Sequence, residues 1–353
     1  MRILYISHVP WDWTKQRPQF IAEELSGYHN VTYVQESSFR KKFVKKLTTV
    51  RIKRLFRLPF GRLNMINCFN ILLYKFQLFY LCKQTDIIWF TSPHVSKWIP
   101  ETFFNQKTTV YDCMDDMIEL YPSDKEMYDN EKILFNRASF VFASSSHLAE
   151  KLKQRYGQRE ITIVNNAISA TFDNASVILP TEYSRFFEKD KIILTYVGSI
   201  SSWMDFDLLN AIHNEFPQIT INLWGPPHSV TLPDNGGFNL CGTVEHKYVS
   251  NILASSDILI MPFVVNDLIE SVNPVKLYEY IYSGKPCLAP RYGESIHFKE
   301  FVNLYETHEE CLTQVERIIK GGLKQMPLEE CREFVKHNTW KDRANSIMDC
   351  LKL

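Results

Sequence analysis

Metal-binding and disulfide spacings are missing from this chain. Its eight cysteines (68, 82, 113, 241, 287, 311, 331 and 350) include no C-x-x-C pair and no His/Cys ligand spacing. That speaks against a metal centre and a disulfide framework, and fits reduced thiols in a cytoplasmic protein. Net charge is missing too: 40 Lys and Arg stand against 40 Asp and Glu, so nucleic acid is not an expected partner. The one apolar run near membrane length, Leu63 to Cys82, is interrupted by Asn64, Asn67, Asn70, Lys75 and Gln77, and no spanning helix is expected there. The opening Met-Arg-Ile-Leu-Tyr-Ile-Ser reads as a core strand and lacks the apolar region and cleavage site of a signal peptide. A last absence is local. From Arg40 to Arg62 there is no acid, while Lys and Arg alternate with Phe43, Val44, Leu47, Val50, Ile52, Leu55, Phe56 and Leu58. Part of this run is expected to form a helix with aliphatic and cationic faces lying on an anionic membrane surface.

What is present suits a folded, two-domain α/β protein. The length, 353 residues, exceeds what one core usually serves, and 45% apolar residues with 14% aromatics can fill two. Short apolar runs alternate with helical patterns, the signature of parallel sheets with crossover helices. Strands are expected over Arg2 to Ser7, Val31 to Val34, Asp86 to Phe90, Thr108 to Tyr111, Phe140 to Ala143 and Ile161 to Asn165. Helices are expected over Arg17 to Leu25, Asp124 to Asn136 and His147 to Tyr156. Thr171 to Lys189 is less periodic and reads as a link. A second series follows, with strands over Ile192 to Val197, Ile219 to Trp224, Phe238 to Leu240, Ile258 to Met261 and Pro286 to Ala289. Its helices are expected over Asp205 to Asn214, Lys247 to Ala254, Val275 to Tyr282 and Glu309 to Lys320.

The most informative stretch is Asn273-Pro-Val-Lys-Leu-Tyr-Glu-Tyr-Ile-Tyr-Ser-Gly-Lys-Pro286. It places Lys276 one helical turn before Glu279, so both leave one helix face. A lysine and a helix N-terminus suit phosphates and a glutamate suits ribose hydroxyls; a surface ion pair has the same spacing. This segment resembles the donor-site helix of GT-B glycosyltransferases, particularly the retaining family four. Trp11-Asp-Trp-Thr-Lys-Gln-Arg-Pro-Gln19 and Tyr111-Asp-Cys-Met-Asp-Asp116 are similar to motifs of bacterial enzymes that build surface polysaccharides, of teichuronic-acid type or from galactofuranose pathways. Val197-Gly-Ser199, Leu223-Trp-Gly-Pro226 and Cys241-Gly-Thr-Val244 resemble successive strand-end loops of the nucleotide domain. The resemblance implies two doubly wound Rossmann-like domains facing across a cleft: residues 1–180 for the acceptor, 181–327 for the nucleotide sugar, and 328–353, with a helix over Leu328 to Leu351, returning to the first domain.

On that plan the donor residues are Gly198, Ser199, Glu270, Ser271, Asn273, Lys276 and Glu279, and the acceptor side has His8, Trp11, Arg17 and Asp115. Asp112 and Lys276 are the catalytic candidates, as base or hydroxyl-orienting group and as leaving-group electrostatics. Ion pairing for Arg17, capping for Asp115 and Asp116, and simple exposure for His8 are the competing roles. Two departures from the family pattern stand out. Ser199-Ile-Ser-Ser-Trp203 lacks the arginine relatives place after the glycine strand, and the position eight before Glu279 is Ser271, with Glu270 displaced by one. The resulting expectation is a metal-independent, cofactor-free glycosyltransferase in cell-surface polysaccharide synthesis, at the inner face of the cell membrane. It would use a nucleotide sugar, UDP-linked, and a glycan or lipid-linked acceptor. Asp205-Phe-Asp207 has D-x-D spacing but sits where a helix should start. The alternatives are a non-catalytic protein of the same shape that binds a sugar nucleotide or a partner, and a sugar-nucleotide epimerase.

Overall fold

In the computed structural model, all residues are described except 14, 37–47, 61–62, 171, 173–177, 229, 234–236 and 323–325. The chain divides into two compact units, Met1–Asn166 with Trp340–Leu353, and Ala167–Thr339. Each is built on one sheet of parallel strands, the two-sheet plan of the GT-B fold.

In the first unit the strands are β1 (Arg2–Ile6), β2 (Asn30–Glu36), β3 (Arg51–Leu55), β4 (Ile87–Phe90), β5 (Thr108–Cys113), β6 (Phe140–Ala143) and β7 (Thr162–Ile163), in the order β3-β2-β1-β4-β5-β6-β7. β1 is interior, and Ile3 to Ile6 are buried on both faces, as a covered parallel strand requires. The register sets Tyr5 beside Tyr33 and Trp89. Their rings stack at 5.6 and 5.2 Å, giving an aromatic row across three strands. Helix Arg17–Ser26 packs against helix Trp340–Leu351 through the Phe20 and Trp340 rings, stacked nearly parallel with centroids 5.2 Å apart.

The second unit holds β8 (Ile192–Val197), β9 (Ile219–Trp224), β10 (Asn239–Gly242), β11 (Ile258–Ile260), β12 (Cys287–Pro290) and β13 (Asn303–Tyr305), in the order β10-β9-β8-β11-β12-β13. The stretch read as a link is partly core: Tyr183, Phe186 and Phe187 surround the buried Trp224 ring at 5.2 to 6.2 Å.

Several expectations need correction. The single helix over Leu328 to Leu351 is two helices, Leu328–Lys336 and Trp340–Leu351. The break falls at Asn338 and Thr339, whose backbones pair with Ile168 instead of continuing the helix. Of the basic run, 40–47 and 61–62 lie outside the described residues, and Arg51–Leu55 is an edge strand rather than a helix. Leu63 to Cys82, set aside as a membrane span, belongs to a 20-residue helix, Asn64–Lys83. Two short strands, β3 and β13, had no counterpart in the sequence reading. Three cationic side chains in five residues hide β3, and β13 has only three residues.

Gly225 is a point where backbone shape decides the fold. At φ +146° it brings the loop after β9 against the loop after β8, where Gly198 N donates to Trp224 O at 2.8 Å; a Cβ at 225 would strike the Gly198 carbonyl. Gly157 also has positive φ, +105°, but open space around it. Gly225→Ala is therefore expected to lower stability by about 2–3 kcal/mol and Gly157→Ala by roughly 1 kcal/mol. Equal losses in denaturant unfolding would remove the steric account.

Candidate functional site

In a parallel sheet the loops at the carboxyl ends of the strands share one edge, and ligands bind where strand order reverses. In the second unit that reversal lies between β8 and β11. Gly198 and Ser199 follow β8, and the chain after β11 runs through the short helix Asp267–Glu270 into helix Val275–Ser283. Pro274 occupies the N-cap position of that helix, and Gly284 ends it at φ +68°.

Lys276 and Glu279 leave the same face as expected. Lys276 Nζ lies 3.0 Å from Glu279 Oε2, and His246 Nε2 lies 3.7 Å from the other oxygen. Glu279 is only 6% exposed. Burial by itself raises its pKa, yet Lys276 and His246 more than offset that and hold it below the ordinary glutamate value. An ionised carboxylate sits beside two cation-forming groups at the first turns of a helix, where backbone N–H groups also favour anions.

The neighbouring candidates are organised by a residue the sequence reading missed. Glu294, buried in the loop after β12, accepts from Asn273 Nδ2 at 2.9 Å, and Gly293 N donates to Glu270 Oε2 at 3.3 Å. Ser271 is buried and donates to Asp267 O at 3.1 Å. Glu270, Asn273 and the loop after β12 thus form one network beside Lys276. His246 and Glu294 carried one sequence signal, their place in strand-end loops. Asp205 is an N-cap, accepting from Leu208 N at 2.8 Å, with His308 Nε2 at 2.8 Å on its other oxygen.

In the first unit the reversal lies between β1 and β4. His8 follows β1, and its Nδ1 is 3.4 Å from the Thr91 hydroxyl beyond β4. Burial, with His94 adding, lowers the His8 pKa to about 4, so the imidazole is neutral near pH 7. Arg17 and Asp112, given separate tasks by the sequence, are each other's partners. Arg17 Nη2 is 2.8 Å from Asp112 Oδ1, Nε is 3.2 Å from Oδ2, and Nη1 donates to Val164 O at 2.6 Å. Neither is more than 3% exposed. The Asp112 oxygens are already taken by Arg17, so work as a base or as an acceptor contact requires this pair to open. Trp11 is likewise buried, edge-on to Tyr33 at 4.8 Å. Asp116 caps helix Met117–Leu120 and binds Lys151 and Arg155 at 3.1 and 2.8 Å.

Asp115, in the loop after β5, differs from both aspartates. It is only partly covered, and burial pushes its pKa up to about 6, with Asp112 and Asp116 adding and Arg17 opposing. Of the three aspartates it alone keeps an accessible surface, and it holds its proton toward neutral pH. A cavity of about 560 Å³ lined by Phe135, Tyr156 and Arg159 includes none of these candidates.

This arrangement is that of a GT-B protein, and the chain's relatives agree. No protein-family model matches the chain. A Bacillus subtilis (strain 168) protein, TuaH, provisionally described as a teichuronic acid biosynthesis glycosyltransferase, is 22% identical over 222 residues, covering 56% of this chain and 54% of its own. The chain thus matches about half the length of that curated relative. Among solved structures it is similar to a sucrose-phosphate synthase from Thermosynechococcus elongatus, with TM-score 0.75, 13% identity and coverage of 99% and 98%. It is also similar to Anabaena HepE in complex with UDP-glucose, with TM-score 0.71, 13% identity and coverage of 100% and 99%.

Two outcomes follow from the first unit's aspartates. Asp112→Ala is expected to cost about 3–5 kcal/mol of stability, because it strands a buried guanidinium, whereas Arg17→Met with Asp112→Leu should recover most of that loss. A double variant as unstable as the single, measured by urea unfolding, would show that charge is not the issue. The folded state keeps the Asp115 proton up to about pH 6, while the ordinary value is 3.8. The group therefore costs nothing below that lower value, and its cost grows as pH rises and is complete above the higher one. Asp115→Asn should raise stability above pH 6 by on the order of 1 kcal/mol and leave it unchanged at pH 3. A gain of equal size at both pH values would contradict the assignment.

Proposed function

We propose that this protein is a glycosyltransferase that moves a hexose or related sugar from a UDP-linked donor to a glycan or lipid-linked acceptor. Its place would be bacterial cell-surface polysaccharide synthesis at the inner face of the cell membrane. The observation that carries the reading is the buried Glu279 carboxylate, held ionised between Lys276 and His246 at the start of helix Val275–Ser283. In this reading Glu279 accepts from ribose hydroxyls. Lys276 and the helix N-terminus meet the negative charge that grows on the departing nucleotide diphosphate. The backbone around Gly198 and Ser199 approaches the phosphates, and Asn273, placed by Glu294, faces the sugar with Glu270 and Ser271 nearby. On the acceptor side Asp115 orients or deprotonates the attacking hydroxyl and neutral His8 supplies a hydrogen bond, while Arg17 and Asp112 position the strand-end loop from beneath. The relative's description and the UDP-glucose held by HepE support the same class of donor and pathway.

The two donor-site groups are separable by kinetics. Glu279 acts in ground and transition states alike, so Glu279→Gln should raise the donor KM more than it lowers kcat. Lys276→Ala should mainly depress kcat, by about 100-fold or more. A UDP-sugar panel screened by thermal shift supplies the donor, since a ligand at about a hundred times its Kd adds ~2.7 kcal/mol. Normal turnover and donor affinity in both folded variants would overturn the assignment.

A further inference from the structure

Helix Asn64–Lys83 is apolar on two opposite faces. One face repeats every four residues: Tyr74, Leu78 and Cys82 are buried in the first unit's core, and Asn70 continues the row beside the Leu58 backbone. The other carries Met65, Phe69, Leu72, Phe76 and Phe79, spaced by fours and threes, so that the five fall within an arc of about 80°. These side chains are 87%, 50%, 62%, 71% and 46% exposed. The chain ahead of the helix extends the patch. Phe56 and Phe60 are also exposed, and the segment is tied to the helix by Gln77 bonding both backbone groups of Phe56 and Asn70 those of Leu58. Each aromatic side chain leaves on the order of 100 Å² in water, so together they exceed the few hundred Å² a soluble monomer usually leaves in one apolar patch.

The surrounding charge says what covers this face. Between Glu36 and Asp86 there is no Asp or Glu, although the chain as a whole is neutral. Arg51, Lys53, Arg57, Lys75 and Lys83 of this stretch are exposed. An apolar stripe bordered by exposed cations, on a stretch that itself carries no acid, matches an anionic lipid leaflet. A second copy of the chain would bring like charges together across the two-fold axis. Length and composition alone, 20 largely apolar residues, would let the helix cross a bilayer. Crossing would pull Tyr74, Leu78 and Cys82 out of the core they fill, so the helix lies along the membrane.

We infer that the outer stripe of helix Asn64–Lys83, with Phe56 and Phe60, is an interfacial face that docks the first unit on an anionic bilayer. The inference is independent of the donor site, and its test reads lipid binding apart from transfer. In cosedimentation the full chain should bind phosphatidylglycerol-containing vesicles and bind phosphatidylcholine vesicles far more weakly. Phe69→Asp with Phe76→Asp should weaken binding by at least about tenfold, with thermal stability and UDP-sugar binding unchanged. High salt should weaken the interaction without abolishing it. Undiminished binding by the folded double variant, complete loss in high salt, or failure of the unaltered chain to bind would each overturn the inference. So would a dimer that dissociates in the variant while vesicles are ignored.

Discussion

Parallel pairing is the constraint on which this molecule rests. Every named strand pair in both sheets is parallel, so no hairpin can join neighbours and each strand needs a crossover that returns the chain to the same starting edge. The carboxyl-end loops therefore gather on one side of each sheet. In both units the first strand is interior, and the chain builds outward on one side before returning to the other. That return separates the loops next to β1 and β8, and His8 with Thr91 in one unit and Gly198 in the other stand at those two openings.

Buried carboxylates in these loops show which of two opposed effects wins. Burial disfavours charge and partners favour it. At Asp115 burial dominates and the group keeps its proton toward neutral pH. At Asp116, Lys151 and two nitrogens of Arg155 outweigh burial and the pKa falls. Glu279 follows Asp116 in direction, but its two partners take one oxygen each, and Lys276 remains partly exposed. A carboxylate saturated by partners acts as a structural pin.

Helix Asn64–Lys83 reflects the same need to cover sheet faces. It supplies Tyr74, Leu78 and Cys82 to the first unit's core, and the strand beside it, β3, lies at the sheet edge with three cations, Arg51, Lys53 and Arg54. Its outer stripe touches that core only at its margin, where the Phe79 ring meets Phe103 at 5.4 Å. Surplus apolar surface of this size needs a non-aqueous neighbour, which separates it from the scattered exposed apolar residues of any protein surface.

The period of the apolar residues determined most strands and helices here, and spacing alone put Lys276 and Glu279 on one face. Both are short-range properties, legible wherever neighbours along the chain share an element. The edge strand Arg51–Leu55 was illegible because its cations mask the alternation, and the break before Trp340 because it depends on a pairing with Ile168, far back in the chain. Only the tertiary structure decided that Arg17 and Asp112, 95 residues apart, spend their charges on each other, that Trp11 fills core, and that Glu294 reaches Asn273. Sequence periodicity says which side of an element a residue occupies; what stands opposite it is set by which strands the crossovers bring together, a long-range choice that spacing along the chain does not carry.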